Sequence, residues 1–146
     1  IAETGTRIQA PLTRELLSTF FFPDTPLHDG GVIIRNGSIV AAGCIFPLTR
    51  DPDMSKRLGT RHRAGLGLTE ETDALCIIVS EESGGISLAF KGRLVRGLNR
   101  QRLHRHLMTH LVRNPSQRER RFFKSVKDFP EERNATQSDL AEEGTE

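Results

Sequence analysis

The sequence predicts one α/β domain in which a mixed β-sheet is flanked by helices. Short apolar runs bounded by turn residues, typical of buried strands, are interspersed with segments whose apolar residues recur at helical spacing. The pair Asn36-Gly37 joins two such runs and is a strong signal for an antiparallel hairpin. A chain of 146 residues is long enough for one domain with its own core.

The first helix is predicted just before a proline-bounded loop. Thr13 can cap a helix whose apolar positions, from Leu16 to Phe20, recur at helical spacing. Pro23 disfavours helical geometry in the residue before it, so we expect the helix to end by Phe22. Residues Pro23 to Asp29 are then predicted to form a loop.

A hairpin and a glycine-containing helix are predicted next. The strands run over Gly31–Arg35 and Ser38–Phe46, on either side of Asn36-Gly37. Residues Pro47–Ser55 are predicted to form a loop, and Lys56–Gly67 a short helix. We expect its glycines, Gly59, Gly65 and Gly67, to let the backbone approach a ligand closely.

Two more strands and a helix follow. The strands are predicted at Ala74–Val79 and Ile86–Phe90, and a helix capped by Asn99 should end at Asn114-Pro115. Residues 1–113 are predicted to form one domain, and residues 114–146 a basic and then acidic tail that is partly disordered.

The charge is unevenly distributed. Residues Arg96 to Lys127 contain ten Lys/Arg and one acid, which would suit nucleic acid or an anionic membrane surface. A solvated helix face explains the pattern more simply, and no nucleic-acid partner is expected. Cys44 and Cys76 lie in apolar runs and are predicted to be reduced core residues.

Asp29 is the first candidate for chemistry. It precedes Gly30 and Gly31, which would let a backbone pass close to a bulky anionic ligand. A carboxylate there could hold a divalent metal or orient a hydroxyl nucleophile. The alternative is that Asp29 only stabilises a turn.

Two further clusters are candidates for binding phosphate and metal. The run Thr60-Arg61-His62-Arg63 carries two guanidinium groups, whose planar forks bind phosphate oxygens bidentately, although such a run can also be a solvated face. Ser80-Glu81-Glu82 follows a buried strand, and Glu82 could supply a second carboxylate for a metal; the alternative is a charged turn.

The order of the motifs is more specific than any one of them. The chain has neither a P-loop nor a Gly-x-Gly-x-x-Gly motif. In sequence it carries His-Asp-Gly-Gly, an Asn-Gly hairpin, Ala-Ala-Gly-Cys, Leu-Gly-Thr-Arg-His-Arg, Thr-Asp-Ala and Val-Ser-Glu-Glu. Over roughly residues 1–95 this order resembles the diadenylate cyclase domain, most closely its membrane-associated class.

The resemblance implies condensation of two ATP into cyclic di-AMP and two pyrophosphates, with Mn²⁺ or Mg²⁺, across a head-to-head homodimer. It implies catalytic roles for Asp29, Arg61, His62 and Arg63, and metal binding by Asp29 and Glu82. The nucleotide would be bound by Gly30, Gly31, the backbone of Phe46 at the adenine, Thr60, Arg61, His62, Arg63, Ser80 and Glu82.

The resemblance also implies a setting for the whole protein. It suggests the cytoplasmic face of a bacterial membrane, reached through helices that this chain lacks, and a regulatory partner such as phosphoglucosamine mutase. The family's usual Asp-Gly-Ala is Asp29-Gly30-Gly31 here, and Ile45 replaces a frequent aromatic. The family's first strand is not found, so the resemblance implies that residues 1–113 are a catalytic domain truncated at its N-terminus. An alternative is a domain that senses ATP or cyclic di-AMP without making it.

Overall fold

The computed structural model of the chain describes residues 1–112, except for the side chains of Ser55 and Val112. These residues belong to a compact unit, Ile1–Asn99, and to a helical segment that begins at Arg100. The end of the last predicted helix, most of the basic stretch and the acidic tail lie outside the described residues.

The α/β class is confirmed. A 3₁₀ turn at Ala2–Thr4 precedes strands and helices in the order β1 Thr6–Pro11, α1 Arg14–Phe20, β2 Gly31–Arg35, β3 Ser38–Cys44, α2 Pro52–Arg57, α3 Thr60–Glu71, β4 Leu75–Val79, β5 Ile86–Phe90, β6 Arg93–Leu98 and α4 Arg100–Leu107, followed by a π-helical turn at Met108–Val112. The six strands form two antiparallel sheets, ordered β1-β3-β2 and β4-β5-β6, where the sequence analysis expected one mixed sheet.

The predicted first helix and hairpin are confirmed. The hydroxyl oxygen of Thr13 accepts a hydrogen bond from the Leu16 backbone N–H at 3.2 Å, as an N-cap residue should. Asn36 and Gly37 have φ angles of 50° and 72°, the left-handed pair that closes a two-residue hairpin. The hairpin makes β3 the central, buried strand of the first sheet.

The segment after β3 contains more helix than expected. Residues Pro52–Arg57 form α2, because the Asp51 carboxylate accepts hydrogen bonds from the N–H groups of Asp53 and Met54. The prediction of a loop over Pro47–Ser55 was therefore wrong from Pro52 onward. Pro52 occupies the first turn of the helix, where proline is tolerated.

Helix α3 extends four residues beyond the predicted end, and its inner glycines serve packing. A Cβ at Gly65 would lie 2.7 Å from Cδ1 of Ile78 on β4, so glycine lets the helix lie close to the second sheet. At Gly65 the helix backbone therefore packs against the core, whereas the sequence analysis expected it to approach a ligand. Leu66 and Leu68 fill the space between α3 and the sheet, together with Cys76 and Ala89.

Strands β1 and β6 were missed by the sequence analysis. Lys91 and Gly92 have φ angles of 49° and 69°, so they close a second tight hairpin, although lysine rarely occupies the left-handed region. Strand β6 itself alternates poorly, because a left-handed Gly97 interrupts it.

Both cysteines are buried and free, as predicted. Within residues 1–112, no helix is long and apolar enough to cross a membrane.

Candidate functional site

Asp29 lies on an exposed turn that glycines make possible. Gly30 has a φ angle of 118°, which L-amino acids with a side chain rarely adopt, and a Cβ there would lie 2.7 Å from the carbonyl carbon of Gly43. The turn thus passes close to the end of β3 and leaves the Asp29 carboxylate exposed to solvent.

The glycine after this turn makes room for an aromatic ring. A Cβ at Gly31 would overlap the ring of Phe46, whose Cε1 atom would be 2.9 Å away. Phe46 is half-buried and packs against the core beneath α3. The acid turn therefore contacts the residue whose backbone was predicted to read adenine.

The start of α3 presents unshielded donors. Its N-cap residue is Gly59, which has no side chain to bond the first-turn N–H groups, and Thr60 and Arg61 are exposed. The N-terminus of a helix attracts anions through its N–H groups and its dipole. The twelve-residue helix therefore begins without a side-chain cap, and an anion could bond its first N–H groups.

One ion pair joins two of the predicted clusters. Nη2 of Arg61 lies 3.1 Å from Oε2 of Glu81, which sits in the turn after β4. The structure thus brings the start of α3 beside Ser80-Glu81-Glu82, as a shared site requires. Both side chains are largely exposed, so the pair can be exchanged for contacts to a ligand at little cost.

Arg63 has a buried hydrogen-bond donor that an anion could satisfy. Its Nε atom is buried and has no hydrogen-bond partner in the part of the chain that the structure describes. An unpaired buried donor on a charged group is costly, and an oxyanion would satisfy it.

His62 lies apart from its two arginine neighbours. Its side chain is 8% exposed, and its Nε2 atom is 3.0 Å from the hydroxyl of Ser87 on β5. Burial lowers the pKa of His62, and the nearby positive charge of Arg96 lowers it further, so the ring is neutral at pH 7. The histidine thus anchors α3 to the second sheet, away from the exposed start of the helix.

Ser80 helps to close the turn on which Glu82 lies. Its backbone N–H and C=O bond to Gly85 and Gly84, each at 2.9 Å, and its hydroxyl accepts from the N–H of Ser83 at 3.3 Å. Glu82 itself is exposed. Among residues 1–112, no three His, Cys, Asp or Glu side chains are grouped so that they could hold a metal ion.

The segment after β3 is fixed at both ends. The Ile45 N–H donates to the hydroxyl of Thr4 at 2.9 Å, while the Ile45 side chain is 71% exposed. At the other end, the Thr49 N–H donates to the Arg63 carbonyl at 3.0 Å. Sequence reasoning missed Thr49, Glu70 and Ser87, and for Ser87 a hydroxyl within an apolar strand was an available signal.

Together, fold and site define an α/β domain whose exposed cations, acid turn and helix start suit a phosphate-bearing ligand. Residues 1–94 match the model of the family described as "DisA bacterial checkpoint controller nucleotide-binding", the DAC domain. The chain belongs to this family, and its predicted resemblance to diadenylate cyclase domains is thereby confirmed.

Several named relatives are similar to this chain. The cyclic di-AMP synthase CdaA of Bacillus subtilis is 50% identical over 112 residues, which are 77% of this chain and 41% of the relative. A diadenylate cyclase of Listeria monocytogenes is 49% identical over 110 residues, 75% of this chain and 40% of the relative. The chain thus spans about two fifths of the length of these curated relatives.

A crystal structure of a double mutant of DacA from Staphylococcus aureus has the same fold. Its TM-score to this chain is 0.72 at 44% identity, covering 75% of this chain and 73% of that one. A hypothetical membrane spanning protein of Bacillus cereus gives a TM-score of 0.63 at 48% identity, covering 66% of this chain and 47% of that one.

Proposed function

We propose that residues 1–113 form the catalytic domain of a diadenylate cyclase, followed by a tail of residues 114–146. The reaction joins two ATP molecules into cyclic di-AMP and releases two pyrophosphates. The main observation in its support is at the start of α3, a helix with no side-chain cap. Its fourth residue, Arg63, has a buried Nε atom without a hydrogen-bond partner among residues 1–112. Membership of the family and the names of the relatives point to the same reaction.

The triphosphate binds at the start of α3 in this proposal. The hydroxyl of Thr60 and the first-turn N–H groups donate to phosphate oxygens, and the guanidinium groups of Arg61 and Arg63 neutralise their charge. Arg61 exchanges Glu81 for the ligand, and Arg63 gains a partner for Nε. His62 holds the helix in place through Ser87.

The acid turn serves the nucleophile. Each 3′-oxygen forms a bond to the α-phosphorus of the other ATP, the bond from that phosphorus to the bridging oxygen breaks, and pyrophosphate leaves with its electron pair. Asp29 orients the 3′-hydroxyl and accepts its proton, while the close turn at Gly30 and Gly31 admits the nucleotide. Two sites must therefore face each other, which requires a homodimer.

Carboxylates of this chain suit a divalent cation by donor type. Asp29 and Glu82 offer exposed, hard oxygen ligands, and Mg²⁺ sites commonly combine one or two carboxylates with substrate phosphates and water. The described residues hold no larger acidic group, so substrate oxygens and water would complete the shell. Bound Mn²⁺ or Mg²⁺ supplies charge stabilisation and a lower pKa for the attacking hydroxyl.

In this proposal the adenine base of ATP lies along the segment after β3. Backbone groups of Phe46 read adenine, and the exposed Ile45 gives an aliphatic contact in place of a stacking ring. Ser80 closes the turn that carries Glu82 at the phosphate and metal end. The attachment of the whole protein to the cytoplasmic face of a bacterial membrane, and a regulatory partner such as phosphoglucosamine mutase, follow from the family resemblance alone.

Mass spectrometry of the products tests the reaction. The chain is incubated with ATP and Mn²⁺ beside the variants Asp29→Asn and Asp24→Asn. Asp24 is an exposed acid on the same loop with a φ angle of 63°, a conformation that asparagine tolerates, so its variant is a matched control.

Cyclic di-AMP from the parent and the Asp24 variant, but none from the Asp29 variant, is the expected result. Equal product from both variants would remove Asp29 from the mechanism. Binding of ATP with no product from the parent would favour the sensor over the enzyme.

A further inference from the structure

The segment Ile45–Thr49 is bonded to the helix that we propose binds the phosphates. The Thr49 N–H donates to the Arg63 carbonyl at 3.0 Å, at the end of the first turn of α3. Arg63 is also the residue whose buried Nε lacks a partner. One residue thus links the end of this segment to the proposed phosphate subsite.

A second bond fixes the same end of the segment further along α3. The Thr49 hydroxyl donates to Oε1 of Glu70 at 2.5 Å and accepts from the Asp51 N–H at 3.3 Å. Thr49 is only 4% exposed, whereas its partner Glu70 is exposed, so the bond joins a buried segment end to the surface of the helix.

The middle of the segment touches the backbone of α3 directly. A Cβ at Gly67 would overlap the carbonyl oxygen of Pro47, and would lie 2.6 Å from the carbonyl carbon of Leu48 and 2.7 Å from the Thr49 nitrogen. Glycine at this position lets two backbones meet without a side chain between them. The contacts at Arg63, Gly67 and Glu70 follow one another along two turns of the helix.

We infer that Thr49, Gly67 and Glu70 are positioning residues that set the distance between the adenine subsite and the phosphate subsite. The inference rests on the proposed function, which places adenine at the Phe46 backbone and phosphate at the start of α3. A ligand held at both ends binds well only when the two subsites have the right spacing, so a loosened segment weakens binding of the base while phosphate binding persists.

Two probes separate the subsites. One is an unreactive α,β-methylene analogue of ATP, which contacts both subsites, and the other is inorganic tripolyphosphate, which contacts only the phosphate end. Calorimetric titration of the full chain at one Mg²⁺ concentration measures the affinity for each probe. The variants are Glu70→Ala, Glu70→Gln and Gly67→Ala, with Glu71→Ala as the matched control on the neighbouring exposed acid.

Glu70→Ala should weaken the nucleotide analogue roughly three- to tenfold, the effect of one lost hydrogen bond, and change tripolyphosphate by less than about twofold. Glu70→Gln keeps an acceptor for Thr49 and should retain most of the affinity. Gly67→Ala should act in the same direction as Glu70→Ala, and Glu71→Ala should match the parent.

Three results would overturn the inference. In the first, Glu70→Ala behaves like Glu71→Ala. In the second, it weakens both probes equally, which would make Glu70 a general support of α3. In the third, the parent does not prefer the nucleotide analogue to tripolyphosphate; this would also refute the proposed adenine subsite, whereas the first two leave that proposal intact.

Discussion

Replacing Gly31 by alanine should destabilise the chain through a collision with Phe46. Gly31 lies outside the left-handed region, so its backbone would accept alanine, and the three atoms nearest to the new Cβ all belong to the Phe46 ring. That Cβ would overlap the ring, which cannot withdraw freely because it packs against the core cluster beneath α3. Overpacking of this kind costs about 1–3 kcal/mol.

A second substitution tests the cause of this cost. Phe46→Leu alone loses apolar contacts, but it also removes the ring atoms that Gly31→Ala would strike. The double variant should therefore be more stable than the sum of the single changes predicts, with a coupling energy of about 1–2 kcal/mol.

Urea unfolding of the parent, both single variants and the double variant gives the four free energies for this cycle. Additivity within about 0.5 kcal/mol would refute the contact as the cause. A neutral Gly31→Ala variant would show that the ring moves aside without cost.

Three further changes give separate tests. Gly65→Ala should destabilise the chain by about 1–2 kcal/mol in urea, because crowding of Ile78 outweighs a better helix propensity. Because the pKa of His62 is lowered in the folded chain, the unfolded chain binds the proton more readily as the pH falls. The free energy of unfolding should therefore be fully present above about pH 6.5 and decrease as the pH drops below it. In unfolding measured as a function of pH, His62→Gln should flatten that slope. Glu81→Gln frees Arg61, so calorimetry should show tighter ATP binding, while stability changes by less than about 0.5 kcal/mol.

Local signals were sufficient for much of the fold. The Thr13 cap, the proline that follows α1 and the Asn36-Gly37 turn act within a few residues, so the sequence predicts them directly. Strand β6 was not predicted because its hairpin turn uses Lys91 in the left-handed region, which lysine rarely adopts, so the turn has no clear sequence signal. The division into two sheets depends on long-range pairing, which no local pattern encodes.

The candidate site was predictable by residue type but only partly by environment. Two arginines beside glycines predicted a phosphate site, and the structure places both arginines in the first turn of α3. The inward orientation of His62 could not be predicted from the run Arg61-His62-Arg63. It depends on the hydroxyl of Ser87, which is 25 residues further along the chain. The packing role of Gly67 likewise depends on a segment far along the chain.

A crystal structure with the α,β-methylene analogue of ATP would show where the chain binds the triphosphate and the ribose. We expect phosphate oxygens at the start of α3, with one of them within about 3 Å of Nε of Arg63. We also expect the ribose hydroxyl beside Asp29. An analogue bound elsewhere, or phosphates at α3 that leave Nε of Arg63 without a partner, would contradict the account.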